Sequence, residues 1–264
     1  MGCGTLSKRW LAEKKREHYY KEAKRQDYRS RAVFKLQQIN KRFNVIKRDQ
    51  VVVDLGCSPG GWCQVLREIV GDKGLVIGLD IARTRPLEGV TFIRGDIREE
   101  GPRKAVTEAL HGRAVGVVVS DMSPNLSGTY SIDEARSVEL ADLALEFAKA
   151  YLKKGGGFIV KVFQGESFKS YLVEVGRHFS SCRAYSPDAS RARSSEIYIV
   201  AKGYLGRGEA REGGRKVEED EEQEEEDDEV DHDEGRVDRE EGKKGIIRRR
   251  TVPEGPDGTR PPGG

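Results

Sequence analysis

Cysteine is scarce in this chain of 264 residues, with four copies at positions 3, 57, 63 and 182. They are too few for a disulfide framework and lack the paired spacing of a zinc knuckle, so a reducing compartment and no structural metal are expected. No apolar run approaches the roughly 18–20 residues needed to cross a bilayer, which excludes a membrane-spanning protein. The opening Met-Gly-Cys-Gly-Thr-Leu has Leu6 where a myristoylation signal requires Ser or Thr. No apolar signal-peptide core follows, and a cytoplasmic location is expected. Net charge is also nearly absent: 47 basic against 45 acidic side chains leave +2.

That balance hides three blocks. Residues 1–48 carry 15 basic and 4 acidic side chains, residues 49–204 carry 20 of each, and residues 205–264 carry 12 basic and 21 acidic. The chain reads as a basic arm, a neutral body and an acidic tail. Within the tail, 14 of the 17 residues from 218 to 234 are acidic, and most of the remainder is Gly, Pro and charge. Such a segment cannot bury enough apolar surface to offset its ordering entropy, so 206–264 is expected to be disordered. Residues 1–27 form the arm, charged and helix-compatible, with basic and aromatic residues interleaved in a way that suits RNA or simply an exposed helix.

The body, 28–205, is long enough for one well-buried domain. Ala32, Val33, Leu36, Ile39 and Phe43 recur at helical spacing and mark a core-packed helix over about 29–43. Short apolar runs then alternate with helical patterns. Strands are expected over 51–56, 75–80, 90–96, 115–122, 155–163 and 196–204, with helices after the first strand, near 133–152 and near 166–179. Apolar runs that alternate with helices indicate an α/β fold with a parallel, doubly wound sheet covered on both faces. Ligands are then expected at the carboxyl ends of the strands.

The first strand ends in Asp54-Leu-Gly-Cys-Ser-Pro-Gly60-Gly-Trp62. A turn of small residues lets the backbone approach a cofactor closely, but a dinucleotide fingerprint would need Gly where Ser58 stands. Pro59 removes an amide that a pyrophosphate would use. The turn suits a cofactor without phosphates, and S-adenosylmethionine has that character. Asp80 ends the second strand, where a carboxylate can accept from both ribose hydroxyls, and Asp96 ends the third, where it can accept from an adenine amine. A single acid at a strand end is commonly a loop cap; three in succession, counting Asp54, beside one Gly-rich turn make a site. Asp121 is a further carboxylate at the mouth of the sheet. Lys161 lies inside Gly-Phe-Ile-Val-Lys-Val-Phe, where a lysine is costly unless paired or neutralised. It reads either as an edge-strand lysine reaching solvent or as a group whose pKa burial depresses so that it can act as a base. Taken alone, Lys35 and Glu196 would be an exposed helix lysine and a strand start.

Resemblance joins these residues. Tyr28-Arg-Ser-Arg-Ala-Val-Phe-Lys35-Leu, the Asp54–Trp62 turn, Ser120-Asp-Met-Ser-Pro-Asn125, Val160-Lys-Val-Phe-Gln-Gly-Glu166 and Ser190-Arg-Ala-Arg-Ser-Ser-Glu-Ile-Tyr198 resemble, in order, the FtsJ/RlmE family. Its members are Rossmann-like, S-adenosylmethionine-dependent ribose 2′-O-methyltransferases acting on uridine in large-subunit (23S) ribosomal RNA. The resemblance implies a catalytic tetrad at Lys35, Asp121, Lys161 and Glu196. It implies cofactor contacts at Gly60, Trp62, Asp80, Asp96 and Asp121. The expected substrate is the large ribosomal subunit or its RNA, and the enzyme is expected to be a monomer. Some archaeal relatives append a β-rich RNA-binding module; residues 205–264 show no strand pattern, so that module is expected to be absent. Arg29, Arg31, Arg191 and Arg193, with the basic arm, are candidates for phosphate contact, because arginine stays charged and presents several fixed donors. The alternatives are ribose methylation of a tRNA anticodon loop and a non-catalytic ribosome-assembly factor on the same fold. A nicotinamide-dependent oxidoreductase is disfavoured by Ser58 and by the lack of a histidine suited to hydride chemistry.

Overall fold

A computed structural model of the chain describes residues 8–190, 195–209 and 218–219. The arm is a helix, α1 (Lys8–Arg25), with Lys24 and Arg25 in its last turn, where cations complement the helix dipole. Its carboxyl-terminal half is docked. Ala23 is buried, the Tyr19 ring lies 5.2 Å from Phe34, and Gln38 donates to the Tyr19 hydroxyl at 3.1 Å. Helix α2 (Val33–Phe43) begins later than its periodicity suggests, because residues 29–32 form a turn held to the body, with Arg29 N donating to Gln64 Oε1 at 2.8 Å.

The body follows as β1 (Val51–Leu55), α3 (Gly61–Val70), β2 (Leu75–Asp80), β3 (Val90–Arg94), α4 (Glu100–Ala109), β4 (Val115–Ser120), α5 (Tyr130–Tyr151), β5 (Leu152–Phe163), α6 (Phe168–His178), β6 (Phe179–Tyr185) and β7 (Glu196–Tyr204). The sheet order is β3-β2-β1-β4-β5-β7-β6, so the doubly wound α/β architecture is as expected. Every residue of β1 is buried. Val51, Val53 and Leu55 pack with α5 and α6 on one face, and Val52 packs with α2 and α3 on the other. This two-sided burial explains why the strands read as unbroken apolar runs rather than as alternations.

The sheet departs from the fully parallel expectation at its carboxyl-terminal side. β7 runs antiparallel to both β5 and β6 and lies between them. Its apolar core, Ile197–Ala201, is buried because strands flank it on both sides, so it carries the sequence signature of a parallel strand without being one. β6 and α4 escape the sequence pattern, since β6 is only partly buried and α4 buries Val106 alone. The expectation that nothing past 205 forms strand meets one exception: β8 (Glu218–Glu219) pairs in parallel with Arg183 and Ala184 of β6. β6 would otherwise present open backbone groups at a sheet edge, which readily accept another strand. The rest of the expected disordered tail, beyond 209, lies outside the described residues. No described helix is long and apolar enough to cross a membrane.

Candidate active site

The carboxyl ends of β1, β2, β4 and β5 and the amino end of antiparallel β7 meet at one edge of the sheet. Strand alternation decides which side chains face the α2–α3 side there. On β5, Ile159 packs among the residues of that face, so Lys161, two residues on, follows it. The Lys161 side chain is only 4% exposed, on a strand flanked by β4 and β7, which removes the edge-strand reading. Its ammonium donates to the Asp121 carbonyl at 2.7 Å and lies 3.0 Å from Asp121 Oδ1.

Across the β5–β7 ladder, Lys161 pairs directly with Tyr198. The Tyr198 side chain is fully buried, and its hydroxyl donates to the same Asp121 Oδ1 at 2.7 Å. Burial, reinforced by the nearby negative charge of Asp121 and Glu196, pushes this phenol well above its usual pKa. Two residues earlier on β7, Glu196 accepts from Lys35 Nζ at 2.7 Å, with Lys35 buried in the first turn of α2. The Lys35 ammonium lies 5.7 Å from the Tyr198 ring centroid, within cation–π range. Lys35, Asp121, Lys161 and Glu196 are therefore brought together as two ion pairs, and Tyr198 touches both. Tyr198 did not stand out in the sequence because a tyrosine in an apolar run reads as core. Its period-two offset from Glu196 is the signal that could have found it.

Beside the ion pairs is a cleft of about 350 Å³, whose lining includes Ser58, Asp80, Ile81, Asp96, Asp121 and Met122. Asp80 is oriented by two amides: Ser58 N donates to Oδ2 at 2.8 Å and Ala82 N to Oδ1 at 2.7 Å. Asp96 is engaged by Arg98, whose guanidinium reaches both carboxylate oxygens and whose backbone N–H donates at 2.9 Å. Those bonds from Arg98 hold its pKa below the usual carboxylate value. Gly56 adopts φ +74°, and a Cβ there would stand 2.5 Å from Met122 Cγ, so only glycine lets the turn close against the start of the β4–α5 loop.

Gly60 and the Trp62 side chain do not line this cleft. Trp62 is buried, its indole N–H donates to the Ala32 carbonyl at 2.8 Å, and its ring lies 5.9 Å from Tyr198. Gly60, at φ +104°, is the residue before α3. The half-buried Arg29 donates to backbone carbonyls, at 3.3 Å from Pro59 O and 2.7 Å from both Arg85 O and Pro86 O, so it ties two loops together. Arg31 lies in the half-buried turn before α2, whereas Arg191 and Arg193 fall outside the described residues. Asp54, on the same sheet face as Lys161, is fully buried; its Oδ2 accepts from the Cys63 thiol at 3.1 Å and its Oδ1 has no partner among the described residues.

Comparison with known proteins identifies the family. The family model of FtsJ-like methyltransferases matches residues 28–204. A ribosomal RNA large subunit methyltransferase E from Methanothrix thermoacetophila is 50% identical over 195 residues, covering 74% of this chain and 75% of that one. The protein of the same name from Methanocaldococcus jannaschii is 47% identical over 208 residues, covering 77% and 85%. Among solved structures, one described as a ribosomal RNA methyltransferase from Plasmodium falciparum superposes with a TM-score of 0.62 at 29% identity, spanning 68% of this chain and all of that one. With its sheet, its paired lysines and carboxylates, and a match through the whole body, the chain belongs to the FtsJ-like methyltransferase family.

Proposed function

We propose that the protein transfers a methyl group from S-adenosylmethionine to the ribose 2′-hydroxyl of a uridine in large-subunit ribosomal RNA, within an assembled or late-stage subunit. The observation that carries this reading is the pair of buried lysine–carboxylate contacts, Lys161–Asp121 and Lys35–Glu196, beside a carboxylate-lined cleft. The names of the relatives at 47–50% identity support ribosomal RNA as the substrate.

The cleft residues fit the cofactor. Asp80 and Asp96 accept from hydroxyl and amine groups, and Ile81 and Ile97 offer apolar flanks to a flat ring. The turn at Gly60 leads into the amino terminus of α3, at Gly61 and Trp62, where first-turn amides and the helix dipole favour a carboxylate. When bound, S-adenosylmethionine supplies an electrophilic methyl group on sulfur. The protein's largest contribution is then to align the ribose oxygen with that methyl, a proximity effect of up to roughly 7–11 kcal/mol.

Lys161 has three N–H donors, two of them directed at Asp121 among the described residues, which leaves one for the ribose oxygen. In this reading the Lys161 ammonium, through its third N–H, compensates the charge that develops on the 2′-oxygen during attack; to take the proton itself it must first have released one, so that a lone pair and not a third N–H faces the hydroxyl. Asp121 orients that ammonium, with its own carboxylate fixed by the Tyr198 hydroxyl. Lys35, held by Glu196, sits over the Tyr198 ring and adds a second positive charge near the developing oxyanion. Arg31, Arg191, Arg193 and the basic arm contact phosphates, and the arm's charge draws RNA toward the mouth of the sheet.

Tritium transfer from labelled cofactor to immature large subunits, naked ribosomal RNA and tRNA tests the assignment. Label at a uridine ribose of the large-subunit RNA is expected. Label confined to tRNA would move the substrate to the anticodon loop, and no label in any RNA would leave only the assembly-factor reading.

A further inference from the structure

Five large apolar side chains stand exposed among the described residues, and three of them fall within seven positions: Leu126 at 69%, Tyr130 at 57% and Ile132 at 45%. Scattered exposed apolar residues are ordinary. These three fall in the loop that begins at Asp121 and in the first turn of α5, but Tyr130 and Ile132, two positions apart on the helix, face opposite ways, so the surface next to the proposed catalytic residues is carried by Tyr130.

This surface is also rigid. The Tyr130 hydroxyl donates to the Gln164 carbonyl, and Gln164 N donates at 2.7 Å to Ser195 O, next to Glu196. One turn further along α5, Glu134 Oε1 accepts from Ser167 N at 3.0 Å and Ser137 Oγ accepts from Phe163 N at 2.9 Å. The loop is closed by Asp133, which accepts from Ser127 N at 2.7 Å, Ser127 Oγ at 2.8 Å and Gly128 N at 3.2 Å. These bonds fix the start of α5 to the loop after β5. The tyrosine ring is anchored at both its backbone and its hydroxyl while more than half of the residue meets solvent. Arg136, four residues after Ile132 and therefore on the same helix face, reaches Asn125 O at 3.4 Å and adds an exposed cation beside Leu126.

A fixed, exposed aromatic face is the element that takes up an unstacked nucleobase, which stacks on the ring. We infer that the Tyr130 ring forms the platform on which one nucleobase of the RNA substrate, at or beside the methylated position, stacks when it leaves its own helix. Helical RNA displays its 2′-hydroxyls at its surface, but Lys161 is almost fully buried at the mouth, so a ribose brought up to it is one drawn out of its helix, and an aromatic platform there offsets the cost of unstacking its base.

The inference rests on the RNA methyltransferase reading, and kinetics with large-subunit RNA separate the two. Tyr130→Ala raises KM for RNA about 5- to 150-fold, the range for loss of one base–aromatic stack, and lowers kcat far less. Tyr130→Trp and Tyr130→Phe, which keep a ring but lose the bond to Gln164, retain most of that affinity. Synthetic RNA fragments carrying one abasic nucleotide at a time supply the second measurement. One abasic position weakens binding to the wild type and costs Tyr130→Ala nothing more. If Tyr130→Phe falls as far as Tyr130→Ala, or no abasic position couples to Tyr130, the residue is a latch and the platform is refuted. A wild-type protein that methylates no RNA refutes the function reading itself.

Discussion

Raising the pH from 5 to 8 should weaken this fold through one carboxyl group. Asp54 is fully buried on β1, with the Cys63 thiol donating to one oxygen and the other without a partner among the described residues. Burial pushes its pKa from 3.8 up to about 7; donation from Cys63 opposes the shift, and the charges of Asp121 and Asp80 add to it. Between those two values the folded chain keeps a proton that the unfolded chain has released, so stability is full below about pH 4 and is lost as pH rises through 7. A shift of about three units corresponds to roughly 4 kcal/mol at most, of which roughly 3 kcal/mol falls between pH 5 and 8. Urea unfolding of the wild type and of Asp54→Asn at pH 5, 6, 7 and 8 isolates this contribution, because every other titrating group cancels in the difference. The asparagine amide is buried at every pH, so its cost offsets all points equally and leaves the slope unchanged. The variant should gain on the wild type by roughly 3 kcal/mol from pH 5 to pH 8. A difference that stays flat with pH would mean that Asp54 is ionised or hydrated inside the fold, and the reasoning from its isolation would be wrong.

Tyr198→Phe removes the hydroxyl that donates to Asp121 and leaves the ring in place. It should cost about 1.5–3 kcal/mol in a denaturant titration, the usual worth of a hydrogen bond to a charged group, and slow single-turnover methyl transfer more than it weakens cofactor binding. Gly56→Ala puts a Cβ into Met122 on a φ of +74°; a loss of about 1–3 kcal/mol and at least roughly tenfold slower transfer are expected, read by thermal melting and labelled-cofactor assays. Lys161→Arg keeps the charge but changes its shape and proton affinity, so its single-turnover pH–rate profile should be depressed throughout; rates near wild type would remove Lys161 as the group that handles the ribose proton.

The alternation of apolar runs and helices was enough to read the doubly wound sheet, because strands buried on both faces leave an unmistakable trace. β7 hid its direction for the same reason: Ile197–Ala201 is buried whichever way the strand runs, and only the seven-residue β6 beside it, half polar, distinguishes the two. Asp121 and Lys161 were legible as a carboxylate at a strand end and a lysine inside an apolar strand, whereas Lys35 and Glu196 joined them only through the resemblance. Lys35 and Glu196 are 161 positions apart, and no local pattern links them. Arg29 shows what charge alone leaves out. Its charge suggested phosphate, and three of its five donors also go to the carbonyls of Pro59, Arg85 and Pro86. Tyr130 was not singled out because exposure is a property of the folded surface, and a tyrosine opening a helix looks like any other.

The position of β7 also bears on how the molecule is made. β5 and β6 are not bonded to each other; the strand that joins them is translated after both. Until residues 196–204 leave the ribosome, β5 has an open edge next to buried side chains such as Phe158 and Val160, the kind of edge that pairs with a neighbouring chain. The same segment delivers Glu196 and Tyr198. A chain cut short before β7 therefore loses the carboxylate partner of Lys35 and the hydroxyl that holds Asp121, and exposes a sticky edge at once, so truncated products should aggregate rather than persist as weakly active enzyme.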